Sequence, residues 1–280
     1  MIKRVITGAC LVAVLIPLLV FSNTWVFPIA ISLIGLLCVF EMARCVNLHK
    51  NIALTIPLYA FAIAFPLLQR SFVNDISFVV KIAAISGMFY LIYLFAFVVF
   101  SHGKILYTDA ATLCLTVFYI FLGLNMLIYI RDFNKGQYIY LLVFIGAWIT
   151  DTFAYFTGVL FGKHKLIEDV SPKKTIEGSI GGTVFCAISF VVLGLVVGAI
   201  DKTVEPNIIF LAISGLLIAV ISQLGDLIMS VIKRHYGIKD YGKLLPGHGG
   251  ALDRFDSILA VSLGIAATCM FSSLTNISLF

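Results

Sequence analysis

Apolar residues fill this chain in long runs, and polar residues gather in the gaps between them. A run of about 20 apolar residues is long enough to cross a bilayer as a helix. Read this way, the pattern predicts spans at roughly 5–22, 25–45, 52–69, 77–100, 108–130, 137–160, 179–200, 207–233 and 254–274. Most connections are short. Two are long, at 161–178 and 234–253. The expected fold is an all-α polytopic membrane protein of about nine transmembrane helices, with residues 1–280 forming a single integral membrane domain.

Composition agrees with the pattern. Mean hydropathy is +1.09. Charged residues make up 12% of the chain, against about 25% in soluble domains. A soluble globular protein is excluded, and the loops leave no room for a soluble domain. The N-terminus has a basic start and an apolar core, as a secretory signal does. It lacks a convincing small-x-small cleavage site and further spans follow, so it is expected to be a retained first helix. The six cysteines are scattered, without a C-x-x-C pair. They read as small membrane-compatible residues, neither disulfides nor metal ligands.

The formal charge of +5 says less than its distribution. With the N-terminus in the cytoplasm, fourteen Lys and Arg fall inside and four outside, and Lys81 in the fourth span completes the nineteen. The positive-inside rule favours that orientation. Both long polar loops then face the cytoplasm, where nucleoside triphosphates are, and the C-terminus lies outside.

The first five spans carry little chemistry. Glu41 and Arg44 read as an i,i+3 pair at the interface. No internal repeat of the kind many transporters carry is visible. The sixth span differs, because Asp151 stands in an apolar helix, at a cost of about 2.5–3.5 kcal/mol if it lies at mid-membrane. Asp151, Tyr155 and Gly158 share a face. They mark a polar cavity or a structural hydrogen bond between helices.

In the first long loop, Ser171-Pro172-Lys173-Lys174-Thr175 reads as a turn with two adjacent cations. Glu177-Gly178-Ser179 leads into the next span. Lysines beside helix N-terminal amides can cradle phosphate; on composition alone an ordinary basic loop drawn to anionic lipid fits slightly better. The P-loop pattern is absent. In the eighth span Gln223, Asp226, Ser230 and Lys233 fall at steps of 3, 4 and 3, on one face that must turn away from lipid. Packing alone would be satisfied by Ser or Gln without an Asp.

The most polar passage is Ser230 to Asp256, SVIKRHYGIKDYGKLLPGHGGALDRFD. Asp253 and Asp256 are spaced i,i+3 at the start of the last span. They resemble a helix cap. Together with Asp226 they also make three carboxylates that a hard cation would hold. Mg²⁺ suits such oxygen ligands, with water and substrate phosphates completing its shell. Zinc does not fit, since His235 and His248 have no thiolate or second histidine at ligand spacing. The glycines of Pro246-Gly247-His248-Gly249-Gly250 let backbone approach a phosphate. His248 is a phosphate partner or a loop residue without a role. Lys233, Arg234, Lys239, Lys243 and Arg254 offset phosphate charge. Transfer between phosphates is mostly positioning and electrostatics, and needs no protein nucleophile.

The pattern S-x-I-K-R-x-x-x-x-K-D-x-G-x-x-L-P-G-H-G-G-x-x-D-R-x-D resembles the signature of the CDP-diacylglycerol synthase family, also called phosphatidate cytidylyltransferases. The Ser171–Thr175 passage with Glu177-Gly178, and Asp151 with Tyr155, resemble the same family. Ala251 departs from it, standing where the family usually has a larger aliphatic residue. The resemblance covers the whole chain, but its specific part is the C-terminal half, with a catalytic stretch of roughly 146–260. It implies the reaction CTP + phosphatidate → CDP-diacylglycerol + pyrophosphate with Mg²⁺, and a second, monovalent cation such as K⁺. By the same resemblance Asp226, Asp253 and Asp256 hold metal. Lys233, Arg234, Lys239, Asp240, His248 and Arg254 join them in catalysis. Substrate binding falls to Asp151, Tyr155, Ser171, Lys173, Lys174, Thr175, Glu177, Ser230, Gly249 and Gly250. The setting implied is a bacterial inner membrane, with a cytoplasm-facing site, a homodimer and no nucleic-acid partner. Two other readings remain: a cytidylyltransferase for another lipid phosphate, and a secondary transporter of an anionic solute.

Overall fold

The computed structural model describes residues 13, 16–244, 249–275 and 277–280. Among these, eight helices are long and apolar enough to cross a membrane. They are α1 (Val26–Cys45), α2 (Ile52–Ser71), α3 (Ile76–Phe100), α4 (Tyr107–Asp132), α5 (Gly136–Phe161), α6 (Ile176–Ile200), α7 (Ile208–His235) and α8 (Leu252–Thr275). Each end lies within three residues of the hydropathy expectation. The expected first span falls mostly outside the described residues; residues 16–20 are helical. The protein is an all-α integral membrane protein.

Local chemistry sets the helix starts. The Asp75 side chain accepts the Phe78 N–H at 3.0 Å before α3. The Asn207 side chain does the same for Phe210 at 3.0 Å before α7. Each supplies a partner to an amide that a helix start leaves unbonded. Large apolar side chains stand outward along the spans, such as Phe89, Val99, Phe100, Val159 and Ile209. In a bilayer that outward face meets lipid rather than water.

One connection is not the irregular loop the sequence suggested. Within 161–178, β1 (Lys165–Ile167) and β2 (Ser171–Thr175) pair antiparallel, with Lys165 opposite Thr175 and Ile167 opposite Ser171. The expected Ser171–Thr175 turn is therefore a strand. Successive side chains in a strand point to opposite faces, so the two adjacent lysines diverge. Lys173 is exposed and Lys174 is half-buried.

The chain sorts into two compact units, residues 1–128 with 236–254, and residues 129–235 with 255–280. In the first unit α1 packs on α2, and the Ser32 hydroxyl donates to the Ile63 carbonyl at 2.9 Å. Its core holds Cys38, Val39, Met42, Leu54, Leu113 and Leu124. In the second unit α5, α6 and α7 come together where side chains are smallest. A Cβ on Gly182 of α6 would meet the Thr150 carbonyl of α5 at 2.7 Å. One on Gly215 of α7 would meet the Ala187 Cα of α6 at 2.6 Å. Small residues let membrane helices approach this closely. Cys38, Cys45, Cys114, Cys186 and Cys269 are free thiols, and Cys10 lies outside the described residues.

Candidate active site

The second unit gathers one group of charged side chains. The inward stripe of α7 begins with Gln223, whose amide donates to the Ser179 carbonyl at 3.3 Å and the Thr183 hydroxyl at 3.2 Å on α6. Ser230 and Lys233, further along the same face, are each 8% exposed. Between them Asp226 Oδ2 sits 2.5 Å from Lys174 Nζ, with side chains 26% and 23% exposed respectively. The alternation of β2 delivers this lysine and sends Lys173 to solvent.

Asp256 on α8 is buried, within electrostatic reach of Asp226, Lys233 and Asp151. Its neighbour Ser257 donates a hydrogen bond to Asp151 Oδ2 at 3.1 Å. Asp151 and Tyr155 are exposed on α5, and the Ser257 hydroxyl joins α8 to this polar face. Three acids and two lysines thus occupy one neighbourhood.

The hairpin is tied to α6 by Glu177. Its Oε2 accepts the Lys163 N–H at 3.1 Å and the His164 N–H at 3.3 Å. Its Oε1 lies 2.7 Å from His164 Nδ1. Thr175 caps α6 by accepting the Gly178 N–H at 3.1 Å, which starts the helix three residues earlier than hydropathy predicted. Lys165 Nζ donates to the Pro172 carbonyl at 2.5 Å. Arg234 Nε donates to the Val170 carbonyl at 3.4 Å, and the rest of that side chain is exposed. Ser171 is half-buried on β2.

The first unit holds the loop that follows α7. Tyr236 donates its hydroxyl to Asp109 Oδ1 at 2.9 Å, and burial pushes that phenol above its usual range. Gly237 turns the chain with φ +67° and Gly249 with φ +83°, in the region where a Cβ is strained. Lys239, Asp240, Lys243 and Arg254 are exposed. Asp253 is buried, and its Oδ2 accepts the Tyr241 N–H at 2.8 Å and the Gly250 N–H at 2.9 Å. Asp253 therefore lies inside the first turn of α8 and accepts loop amides, where the sequence had suggested a cap of the helix itself. Pro246, Gly247 and His248 lie outside the described residues.

Sequence reasoning passed over Glu41 and Arg44 of α1 as an interface pair. Glu41 is 4% exposed. Its Oε1 accepts the Ala251 N–H at 3.1 Å and its Oε2 the Leu252 N–H at 2.9 Å. Arg44 donates to the Tyr241 carbonyl at 2.5 Å. Both engage the signature loop. The signal available in sequence was an acid in an apolar span, the same signal that singled out Asp151.

Among the described residues, no three His, Cys, Asp or Glu side chains gather closely enough to hold a metal by themselves. Mg²⁺ asks for less, since it keeps waters and takes substrate phosphates beside one or two carboxylates. Asp226 and Asp256 supply hard oxygen donors, and Asp151 adds a third acid to the same neighbourhood. That donor set fits Mg²⁺.

A polytopic membrane protein with acids, lysines and a glycine-rich loop has the makings of a phosphate-handling membrane enzyme. Comparison with known proteins makes this specific. Residues 2–272 match the model of the cytidylyltransferase family. A phosphatidate cytidylyltransferase of Staphylococcus haemolyticus is 33% identical over 258 residues, covering 92% of this chain and 95% of that protein. One from Staphylococcus saprophyticus is 35% identical over 233 residues, covering 81% and 84%. One from Staphylococcus aureus is 37% identical over 185 residues, covering 65% and 67%. The chain belongs to the cytidylyltransferase family, and by that membership it is a nucleotidyltransferase.

Proposed function

We propose that this protein is a phosphatidate cytidylyltransferase of a bacterial plasma membrane, serving phospholipid biosynthesis. The observation that carries this is the likeness to the Staphylococcus haemolyticus enzyme over nearly the full length of both chains. The acid and lysine neighbourhood of α7, α8 and β2 supports it from the side of chemistry. The substrates are CTP and phosphatidate. An oxygen of the lipid phosphate attacks the α-phosphorus of CTP, the bond from that phosphorus to the β-phosphate oxygen breaks, and pyrophosphate leaves.

In this reading Asp226 and Asp256 hold Mg²⁺; the ligand role of Asp253 rests on sequence resemblance alone. Mg²⁺ would neutralise triphosphate charge and stabilise the entering and leaving oxygens. Lys233 offers a buried cation to phosphate, Lys174 a half-buried one and Arg234 an exposed one. Lys239, His248 and Arg254 belong to the glycine-rich loop and its flank, and take phosphate contacts by resemblance. Glu177 and Thr175 keep the hairpin, and so Lys174, in register. The loops face the cytoplasm by the distribution of Lys and Arg. A homodimer belongs to the proposal by resemblance.

The test is pyrophosphate release by purified protein in detergent, with phosphatidate and Mg²⁺ and each nucleoside triphosphate in turn. Release only with CTP or dCTP, lost without lipid and lost in EDTA, is the expected result. Absence of release with every one of the four nucleotides, from monodisperse protein, would overturn the reading.

A further inference from the structure

Glu41 is a buried acid in a span that otherwise carries no chemistry. Its carboxylate uses both oxygens on the Ala251 and Leu252 amides, which begin α8. Amides at a helix start lack partners within the helix, and a residue close in sequence normally caps them. Here the cap arrives from 210 residues away. The loop makes room for it: a Cβ on Gly242 or on Gly250 would fall inside contact distance of the Glu41 carboxylate. Arg44, one turn along α1, takes the Tyr241 carbonyl. The N–H of the same Tyr241 goes to Asp253 Oδ2, which also accepts the Gly250 N–H.

Backbone and side chain therefore interlock. Glu41 fixes the residues just before and at the start of α8, Arg44 fixes the Tyr241 carbonyl, and Asp253 is oriented by the neighbouring Tyr241 and Gly250 amides. A membrane helix that needed only an anchor would use apolar contacts, because an ionised group inside a span is costly. Buried polar groups that are fully bonded serve instead to select one geometry.

We propose that Glu41 is a positioning residue for nucleotidyl transfer, holding Ala251 and Leu252 at the start of α8 in their working geometry, with Arg44 as its second through Tyr241. This rests on the cytidylyltransferase reading above. Its consequence is that spans outside the signature contribute to turnover through the loop.

The experiment uses the full chain in detergent with phosphatidate, as wild type, Glu41→Gln, Glu41→Ala and Arg44→Met. Two readouts are taken per mole of monodisperse protein: kcat and CTP KM from pyrophosphate release, and deuterium uptake of the peptide holding Ala251 and Leu252. Losing both acceptors in Glu41→Ala is expected to lower kcat about 30-fold or more, with faster exchange at Ala251 and Leu252. Glu41→Gln keeps one acceptor, and should fall between Glu41→Ala and wild type in both readouts. Wild-type kcat in folded Glu41→Ala overturns the proposal, and so does unchanged exchange. A smaller folded fraction with wild-type kcat per folded molecule makes Glu41 a structural anchor and overturns it too. If Glu41→Ala does not fold, Glu41→Gln and Arg44→Met decide by the same readouts. Failure of all three to fold also makes the role structural. An inactive wild type would sink the functional reading instead, and the exchange data would still report whether Glu41 holds the loop.

Discussion

Replacing Lys174 by Met should make the protein bind a divalent cation more tightly when no nucleotide is present. The substitution keeps an unbranched stem and removes the charge. Lys174 Nζ lies 2.5 Å from Asp226 Oδ2, and a quarter of each side chain is exposed. Fully exposed pairs contribute up to about 1 kcal/mol, while breaking a fully buried pair costs about 3–5 kcal/mol. Exposure of a quarter places this pair near 2 kcal/mol. If Asp226 is a metal ligand, an incoming cation must displace the ammonium and give up that energy. Removing the lysine removes the competition, so affinity should rise about 30-fold, at 1.4 kcal/mol per factor of ten. Manganese is a convenient probe, because the spin-resonance signal of the free ion falls as it binds. Lys173→Met is the control: its side chain leaves β2 on the opposite face and is exposed, so manganese affinity should stay within about threefold. Folded Lys174→Met with unchanged or weaker manganese affinity would refute the reasoning, because the ion pair would then not occupy the metal's ligand.

Other substitutions probe the remaining parts. Asp226→Asn should abolish turnover and weaken manganese binding in protein that still inserts and purifies; full activity would remove the metal assignment. Asp253→Asn puts an NH₂ group in competition for the position that accepts Tyr241 and Gly250, so turnover should collapse together with deuterium protection at Gly250; retained protection with lost turnover would shift its role from the loop to the metal. Glu177→Gln loosens the hairpin, since the charged acceptor of the Lys163 and His164 amides is lost, and trypsin should cut after Lys163 or Lys165 several times faster than in wild type. Gly182→Val sets a side chain where even a Cβ lies 2.7 Å from the Thr150 carbonyl, an overpacking worth about 1–3 kcal/mol; an unaltered thermal midpoint would mean that α5 and α6 can separate there without cost.

The spans were legible because a bilayer imposes one rule on length and hydropathy, and that rule needs no partner to be identified. The largest shift of a helix end came at Thr175, whose side-chain cap starts α6 three residues early. The hairpin was hidden for the opposite reason. Its strands are three and five residues long, too short for a period of two to stand out, and Glu177 holds it from outside the strands. The two lysines of β2 show what that cost. As neighbours in sequence they read as one cationic patch, but the pleat gives them different surroundings and, by the argument above, different effects on metal affinity.

Long-range pairing set the other limit. Periodicity placed Asp226, Ser230 and Lys233 on one face because they share a helix. Nothing in periodicity joins Glu41 to Leu252, since the bond crosses 211 positions. The cue was chemical: an ionisable group in an apolar span needs a partner, and an i,i+3 arginine seemed to supply one. That inference stopped too soon. An arginine at this spacing has donors to spare, and a carboxylate has two oxygens with several lone pairs, so a local pair leaves most of both groups' bonding capacity unused. A buried side chain must use that capacity, and the nearest backbone with unbonded groups is a helix start or a glycine-rich turn. The signature loop offers both. Each remaining ionisable residue in an early span can be put to the same question. Asp109 answers it in the same way, by accepting the Tyr236 hydroxyl at the loop's other end.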